Sequence, residues 1–529
     1  MRAVLPEEMR RIEQETMDTL LLSEEILMER AGIGVARVLL RSFRNVSKVV
    51  ALVGKGNNGG DALTALRELH CRGIRVSAGL QYPLSMCGPS VAREADRLIH
   101  LGIQIDELSS PKAWHRIRHA DVVIDGLLGT GFKGMPKEEL RQTFERVNGL
   151  GARIVSIDIP SGVDGETGKI LGSAIRATLT VTLGFPKWGI LVDPGLRMSG
   201  SVVVSDIGIP PGFGMGGTLW APDDRDAIGW LPKRALSIHK GQSGHVAVWG
   251  GSPGKRGAPE LVALGALRSG SGLATVFFAD GDKGVLPRFP EIMVDGWPKE
   301  PGSGFLQALL DRMDVLAFGP GIDPDPGFRK NLDGILDEFQ GPIVGDAGFF
   351  ALNWKKPDDV RRKNGRPLVL TPHPGEFSRF SGIPVHEVLE NATALAKEFA
   401  GKCDAVLLLK GWRTIIASPD GRCAVNMSGA PNMATAGMGD VLTGIISGLL
   451  GQGLEPFLAA TLGAYIHGKA GEMAYEEGTT RGLLAHELAE RIPKVLSKLE
   501  NRTFLFSEED RTLYEPLHSA AGVIDGPES

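Results

Sequence analysis

Three short segments of this 529-residue chain set amides, hydroxyls and carboxylates directly behind apolar, β-branched runs. The first is Gly54-Lys55-Gly56-Asn57-Asn58-Gly59-Gly60-Asp61, after SKVVAL. The second has Asp125 ahead of Gly129-Thr130-Gly131. In the third, Asp158 precedes Pro160-Ser161-Gly162, with Asp164 beyond. If each run is a strand of one parallel sheet, the three loops converge at its carboxyl edge, where open α/β sheets bind ligands. Oxygen donors from Asn58, Asp125 and the Ser161 region suit a hard cation rather than zinc. Asp158 at a strand end is placed for acid–base work. Gly54, Gly56 and Gly59 satisfy G-x-G-x-x-G, but the next strand ends Ala78-Gly79-Leu80-Gln81, without the acid a dinucleotide fold needs. No Lys-Ser/Thr follows the glycines, which excludes a P-loop. What remains is a glycine loop opening a helix, with backbone N–H groups for an anion. Any one of these loops could merely satisfy a turn; three with the same equipment point to a site.

A second set lies near the carboxyl end. Gly429-Ala-Pro-Asn-Met-Ala-Thr-Ala-Gly437-Met438-Gly439-Asp440 runs into VLTGIISGLL, where Val441, Leu442, Ile445, Ile446, Leu449 and Leu450 share a helical face. The N-terminus of such a helix stabilises phosphoryl oxygens. Asp440 there could deprotonate or orient a hydroxyl, or could be an N-cap and nothing more. His373 and Glu376 sit on a further strand-end loop, LTPHPGEF, where His373 could equally be structural. Lys410-Gly411 sits on another, suited to nucleotide phosphates, and Glu376 or Asp346 could engage a metal.

The elements that must hold these loops are legible. Residues 14–43 read as helix. SKVVALVG, IRVSAGL, ADVVIDGLLG, ARIVSIDIPSG, ATLTVTLG and GSVVVSDIG read as strands. A second βα series follows: HVAVWGG, LATVFFA, VLAFGPG, GPIVGDAG, RPLVLTPHPG, AVLLLKG and TIIASP. Uniformly apolar strands between helices imply parallel sheets covered on both faces. The length suggests two or three domains. The Pro/Gly-rich stretch near Gly214–Thr218 marks a boundary, giving a first domain over 1–215, a second over 225–500 and a loose tail over 501–529. Seventy-one glycines cluster in short loops rather than a low-complexity tract. A net charge of −5 argues against nucleic-acid or acidic-membrane partners. Four cysteines without a CxxC pair point to a reducing, cytoplasmic setting, and no apolar run has signal-peptide or membrane-span character.

VGKGNNGGDAL, DGLLGTG and IDIPSGVDGETG resemble the epimerase domain of the bifunctional NAD(P)H-hydrate repair enzymes, over about 1–213. HKGQSGHVAVWGGSPGKRGAPELVALGALRSGSGLATV, LAFGPGI, LTPHPGEFSR and GMGDVLTGIISGLL resemble their ADP-dependent dehydratase, over about 225–500. The resemblance implies a Rossmann-like α/β domain followed by a ribokinase-like α/β domain. It implies potassium at Asn58, Asp125 and Ser161. It places the hydrate against Asn57, Asn58, Gly59, Gly60 and Asp61, against Gly129, Thr130, Gly131, Phe132, Lys133, Gly134 and Met135, and against Asp158. In the second domain, hydrate would meet Ala258, Gly321, His373 and Asp440. ADP, with Mg2+, would lie along Lys410, Gly411, Trp412, Arg413 and Thr414 and from Asn426 to Gly437, Met438 and Gly439. The partners implied are NADHX, NADPHX and ADP, with a homo-oligomer expected. Three positions depart from the family pattern: Ala62 stands for a glycine, Met438 for a threonine, and Asp346-Ala347-Gly348 for an Asp-Ala-Asp strand end. The competing functions are a vitamin or sugar kinase sharing the anion hole, and a non-catalytic scaffold. The first domain argues against the kinase and intact Asp125, Asp158 and Asp440 against the scaffold.

Overall fold

The structure, a computed structural model, describes all residues except 211, 215, 280, 283, 285, 297–311, 324–331, 334–337, 353, 355, 363, 502–509 and 516–529. The chain divides into two compact units. One is Arg2–Leu219 with Phe504–Ser529; the other is Met1 with Trp220–Thr503. Among the described residues, no helix is long and apolar enough to cross a membrane.

The first unit is a sheet in the spatial order Asp510–Tyr514, Ser201–Ser205, Leu179–Leu183, Arg153–Ile157, Val122–Gly126, Lys48–Val53, Arg75–Leu80, Gln104–Glu107. All pairings are parallel except that of Asp510–Tyr514 with Ser201–Ser205. Alternate residues of Lys48–Val53 serve two cores. Val49, Ala51 and Val53 pack with residues of helices Glu24–Ser42 and Asn57–Cys71. Val50 and Leu52 pack with residues of Pro111–Arg118 and Glu138–Asn148. This double burial is why the strands read as continuous apolar runs. The helix expected over 14–43 is two, Pro6–Leu20 and Glu24–Ser42, broken at Leu21, whose φ of 54° is left-handed.

In the second unit, strands Val406–Leu409, Leu368–Leu370, Ile343–Gly345, Val315–Phe318, His245–Gly250, Leu273–Phe278 and Met293–Gly296 lie side by side and parallel. Ile415–Ala417 and Cys423–Val425 extend the sheet antiparallel, so the all-parallel expectation fails at this edge. The reason is local: Lys410–Thr414 is too short for a helical crossover and makes a hairpin. Helices Gly257–Arg268 and Met438–Gly451 cross with their backbones in contact. A Cβ on Gly444 would stand 2.1 Å from the Val262 carbonyl oxygen, and one on Gly265 2.5 Å from that of Val441. These glycines let the two helices pack backbone to backbone.

The expected loose tail contains an edge strand instead; the rest of it lies outside the described residues. Asp510, 3% exposed, accepts from Arg37 Nε and Nη2 at 2.7 Å each, from Arg41 Nη1 at 3.3 Å and from Ser205 Oγ at 3.0 Å. Asp510→Ala would leave Arg37 without its bidentate partner, a loss of about 1–3 kcal/mol. Differential scanning calorimetry should show the first unit melting earlier, with the second unit's transition unmoved.

Candidate active sites

The three polar loops of the first unit do meet. Asp125, fully buried, accepts from Ser161 Oγ at 2.6 Å, Ser161 N at 2.9 Å, Ser156 Oγ at 2.8 Å and Leu127 N at 3.3 Å. Burial pushes its pKa up, and the hydrogen bonds from Ser161 and Ser156 oppose that. The Asn58 amide donates to the Leu128 carbonyl at 2.8 Å, and Ser161 Oγ is 3.3 Å from the same oxygen. Asn58, Asp125 and Ser161 thus surround one oxygen-rich point. Among the described residues no lysine or arginine pairs with Asp125, so a buried carboxylate here lacks a counter-charge. A hard monovalent or divalent cation fits that donor set. Glycine makes the approach possible: a Cβ on Gly54 would stand 1.9 Å from the Leu127 carbonyl oxygen. Ala62 is accommodated because Gly126 faces it, a Cβ there falling 2.6 Å from that of Ala62.

Asp158 is held with φ at +65°, a left-handed backbone that an aspartate adopts at a cost. Its Oδ1 accepts from Thr182 Oγ1 at 3.3 Å, from Leu183 N at 3.2 Å and from Lys187 Nζ. Lys187 is 1% exposed and also donates to the Leu183 carbonyl at 2.8 Å. Among the described residues no donor reaches Asp158 Oδ2. Asp61 and Glu13 complete the group. Burial, with Asp158 and other acids nearby, pushes Asp61 well above the usual carboxylate range; burial likewise raises Glu13, and Lys187 opposes both shifts. Of the remaining residues in this set, Asn57 takes a hydrogen bond from Ser90 and gives one to Glu24. A Cβ on Gly129 would lie 3.2 Å from that of Asn58. Gly131, Lys133, Gly134 and Met135 are exposed, and Thr130 and Phe132 half-buried. Sequence reasoning missed Lys187, Thr182 and Glu13. The available signal was a single lysine inside the apolar stretch VTLGFPKWGIL.

In the second unit the strand-end loops are stitched by backbone bonds, Gly319 N to Trp249 O, Asp346 N to Phe318 O and Lys410 N to Pro372 O. Lys410 Nζ donates to Asp346 Oδ1 at 2.8 Å and lies 3.8 Å from Glu376 Oε2. Asp346, 1% exposed, also accepts from Thr443 Oγ1 at 2.8 Å. Burial alone would lower the Lys410 pKa, but Asp346, Glu376 and Asp440 hold it above its ordinary value. Asp440 lies in the first turn of the Met438–Gly451 helix. Gly437, at φ +89°, is the N-cap, and the cap has no side-chain hydrogen bond, so the N-cap reading of Asp440 is set aside. Burial first, then Asp346 and Glu376, pushes the Asp440 carboxyl up to about 7, against the pull of Lys410.

His373 takes the capping role. Its Nδ1 accepts from Gly375 N and Glu376 N at 3.0 and 3.3 Å, and Glu376 Oε2 accepts in return from His373 N at 2.8 Å. Its Nε2 lies 3.4 Å from Glu376 Oε1, and half the side chain stays exposed. Ala258 and Gly321 adjoin, a Cβ on Gly321 lying 3.2 Å from that of Ala258. Gly411 and Thr414 close the hairpin turn, with Thr414 Oγ1 donating to the Gly411 carbonyl at 3.1 Å. Arg413 stacks at 4.2 Å on the half-exposed Trp412. The Asn426 amide is committed to protein: it donates to the Ser428 and Ala464 carbonyls and accepts from Ser428. Met438 is buried, and Gly439 stands beside Lys410, 3.3 Å from a would-be Cβ to Nζ. Gly348 has no room for a side chain, because a Cβ would meet the Gly319 carbonyl oxygen at 2.7 Å. Among the described residues, no three His, Cys, Asp or Glu side chains gather closely enough to hold a metal alone. A Mg2+ here would share its coordination with phosphate oxygens and water.

Residues 246–494 match the family described as NAD(P)H-hydrate dehydratase, and residues 24–189 the family described as YjeF-related protein N-terminus. The chain is 38% identical over 527 residues to the bifunctional NAD(P)H-hydrate repair enzyme Nnr of Moorella thermoacetica, covering 94% of this chain and 97% of that one. It is 34% identical over 516 residues to the Nnr of Thermofilum pendens, with the same two coverages. A solved structure of the ADP/ATP-dependent NAD(P)H-hydrate dehydratase from Bacillus subtilis, co-crystallised with ATP/Mg2+, is 32% identical, with a TM-score of 0.46. It covers 54% of this chain and all of that one.

The raised Asp440 carboxyl has a consequence with a definite sign. The unfolded chain releases this proton near 3.8 and the folded chain near 7. Folding therefore gains from Asp440 below pH 3.8, and the gain is lost as pH rises towards 7. If ionised Asp440 accepts a proton in catalysis, kcat/KM at this site should fall about tenfold per pH unit below 7. The limb should be absent from reactions of the first unit. A profile flat from pH 5.5 to 8 would show that Asp440 does not act as a base.

Proposed function

Because the chain belongs to the family of bifunctional NAD(P)H-hydrate repair enzymes, we propose that each of its two units holds one of the two activities, on the residues gathered at its strand ends. The overall reaction is repair of hydrated nicotinamide cofactors. The R and S epimers of the hydrate are interconverted, and the S epimer is dehydrated with ADP consumed and AMP and phosphate released.

In the first unit, the observation that carries the reading is the one-sided engagement of Asp158. Lys187, Thr182 and Leu183 N occupy Oδ1, which leaves Oδ2 for the hydroxyl at the epimerised carbon. Asp158 takes or returns the hydroxyl proton and Lys187 orients the carboxylate. The first turn of the Asn57–Cys71 helix, from Asn57 to Asp61, and the loop from Gly129 to Met135 hold the nucleotide part of the hydrate. Potassium at Asn58, Asp125 and Ser161 would supply the counter-charge that Asp125 lacks and brace the loops.

In the second unit, Lys410 and the backbone N–H groups of Gly437-Met438-Gly439 receive ADP phosphates. Asp346 and Glu376 would be the residues to hold a Mg2+ ion, which would supply charge neutralisation to the phosphates. Asp440 accepts the proton of the hydrate hydroxyl as its oxygen attacks the β-phosphorus, and the bond to the AMP oxygen breaks. Phosphate then leaves the ring carbon, driven by the ring nitrogen's lone pair, and loss of a proton from the neighbouring carbon restores the double bond. Backbone donors do this work, so Met438 in place of threonine does not remove the anion site. His373 shapes the pocket as a cap, with its exposed edge towards the substrate. A cytoplasmic setting, supported by four unpaired cysteines, belongs to the same proposal, as does a homo-oligomer.

Purified protein given mixed-epimer NADH hydrate and ADP should regenerate NADH, followed by absorbance. Asp440→Asn should cut this at least about a hundredfold while ADP affinity stays near wild type. Asp158→Ala should consume the S epimer at the normal rate and leave the R epimer decaying uncatalysed, as chromatography of the epimers would show. If Asp158→Ala stops dehydration of pure S hydrate in folded protein, the division between units is wrong.

A further inference from the structure

At the amino ends of the first unit's strands lies a groove of about 600 Å³, lined by Lys48, His70, Arg75, His115, Arg116 and His119 among others. Lys48 begins the strand whose far end feeds the Asn57–Asp61 loop. The five rises of about 3.3 Å from Lys48 to Val53 put the groove roughly 17 Å from the far end of that strand. Its lining shares no residue with either candidate active site.

Part of this basic lining has a fold explanation. His70, His115 and Arg116 lie in the last turns of helices Asn57–Cys71 and Pro111–Arg118, where cations suit the helix dipole. Arg116 is neutralised as well, by Asp106, and donates to Gln104 Oε1 at 2.6 Å. Lys48 and Arg75 have no such explanation. They stand directly opposite each other in the parallel register, so two like charges share one side of the sheet on adjacent strands. Among the described residues neither makes an ion pair within 4 Å, although Lys48 attracts the nearby Asp121 carboxylate and helps to hold its pKa down. The remaining carboxylate nearby, Asp121, accepts from Ser47 N, Lys48 N and Ser47 Oγ. The rings of His115 and His119 lie 4.5 Å apart at a tilt of 43°, and the half-buried Ile74 and Val76, which pack on the core of Val49 and Ala51, complete the lining.

We propose that this groove binds a phosphate-bearing small anion, with Lys48 and Arg75 as its principal charge contacts. The volume suits a ligand of nucleotide size, and an anion bound between Lys48 and Arg75 adds a counter-charge to both. Binding is reversible and non-covalent, and weakens with salt because the contacts are exposed.

Isothermal titration calorimetry of the full chain with inorganic pyrophosphate tests this. Three proteins are compared: wild type, the double variant Lys48→Gln with Arg75→Gln, and Lys410→Gln, which removes the phosphate contact of the second unit. The expected result is a binding event that persists in Lys410→Gln and is at least about tenfold weaker in the double variant. Both repair rates of the double variant should stay within about twofold of wild type, which also reports that it is folded. The proposal is overturned if pyrophosphate does not bind at millimolar concentration, or if binding disappears in Lys410→Gln and is unchanged in the double variant. A titration with ADP under saturating pyrophosphate then separates a bare phosphate site from a nucleotide site.

Discussion

In both units a lysine is drawn out of water against an aspartate at the carboxyl end of a strand: Lys187 on Asp158, and Lys410 on Asp346. Desolvating two charges costs several kcal/mol per ion, so such pairs persist only where further hydrogen bonds complete them. Leu183 serves Lys187 with its carbonyl and Asp158 with its N–H, and Thr443 completes Asp346. The pair then sets the field for every acid beside it. Asp61 and Glu13 in one unit, and Asp440 in the other, lie beside these pairs, and burial together with the neighbouring acids drives each towards its protonated form. A carboxyl poised in this way is what proton transfer near neutrality requires.

Close backbone approach is the second constraint, because loops must touch if their carboxylates are to meet. Gly54 against Leu127, and Gly348 against Gly319, leave no space for a side chain. Departures from the family pattern are absorbed in the same terms. Ala62 fits because the residue facing it is Gly126. Gly348, standing where the family pattern has an aspartate, gives up a carboxylate and allows the strand-end loops to close on one another. Neither change reaches Lys410, Asp346 or Asp440.

The strand-end loops were legible because a loop that must both turn and bind concentrates glycine with Asp, Asn and Ser, and because strands buried on both faces are uniformly apolar. What escaped the sequence was decided by partners distant along the chain. Lys187 reads as an ordinary turn lysine, and only the fold buries it on Asp158. On local grounds Asp440 could be cap or catalyst, and His373 structural or substrate-binding. The structure separates them, since Gly437 caps one helix and His373 the other. Leu21 interrupts a helical pattern without a proline or glycine to announce it. The strand Asp510–Tyr514 is short and amphipathic, and its pairing depends on Arg37 and Ser205, some three to five hundred residues away in sequence.

The two units also differ in what they ask of the solution around them. Asp346 finds its counter-charge in Lys410, within the second unit's own chain. Asp125 finds only hydrogen-bond donors, and hydrogen bonds to hydroxyls and amides do not cancel a buried charge. The first unit therefore needs either a proton on Asp125 or a cation beside it. A proton would leave only one oxygen a full acceptor for the donors of Ser156, Ser161 and Leu127. The proposed cation would keep all of those bonds and would tie the Asn58, Asp125 and Ser161 segments to one point.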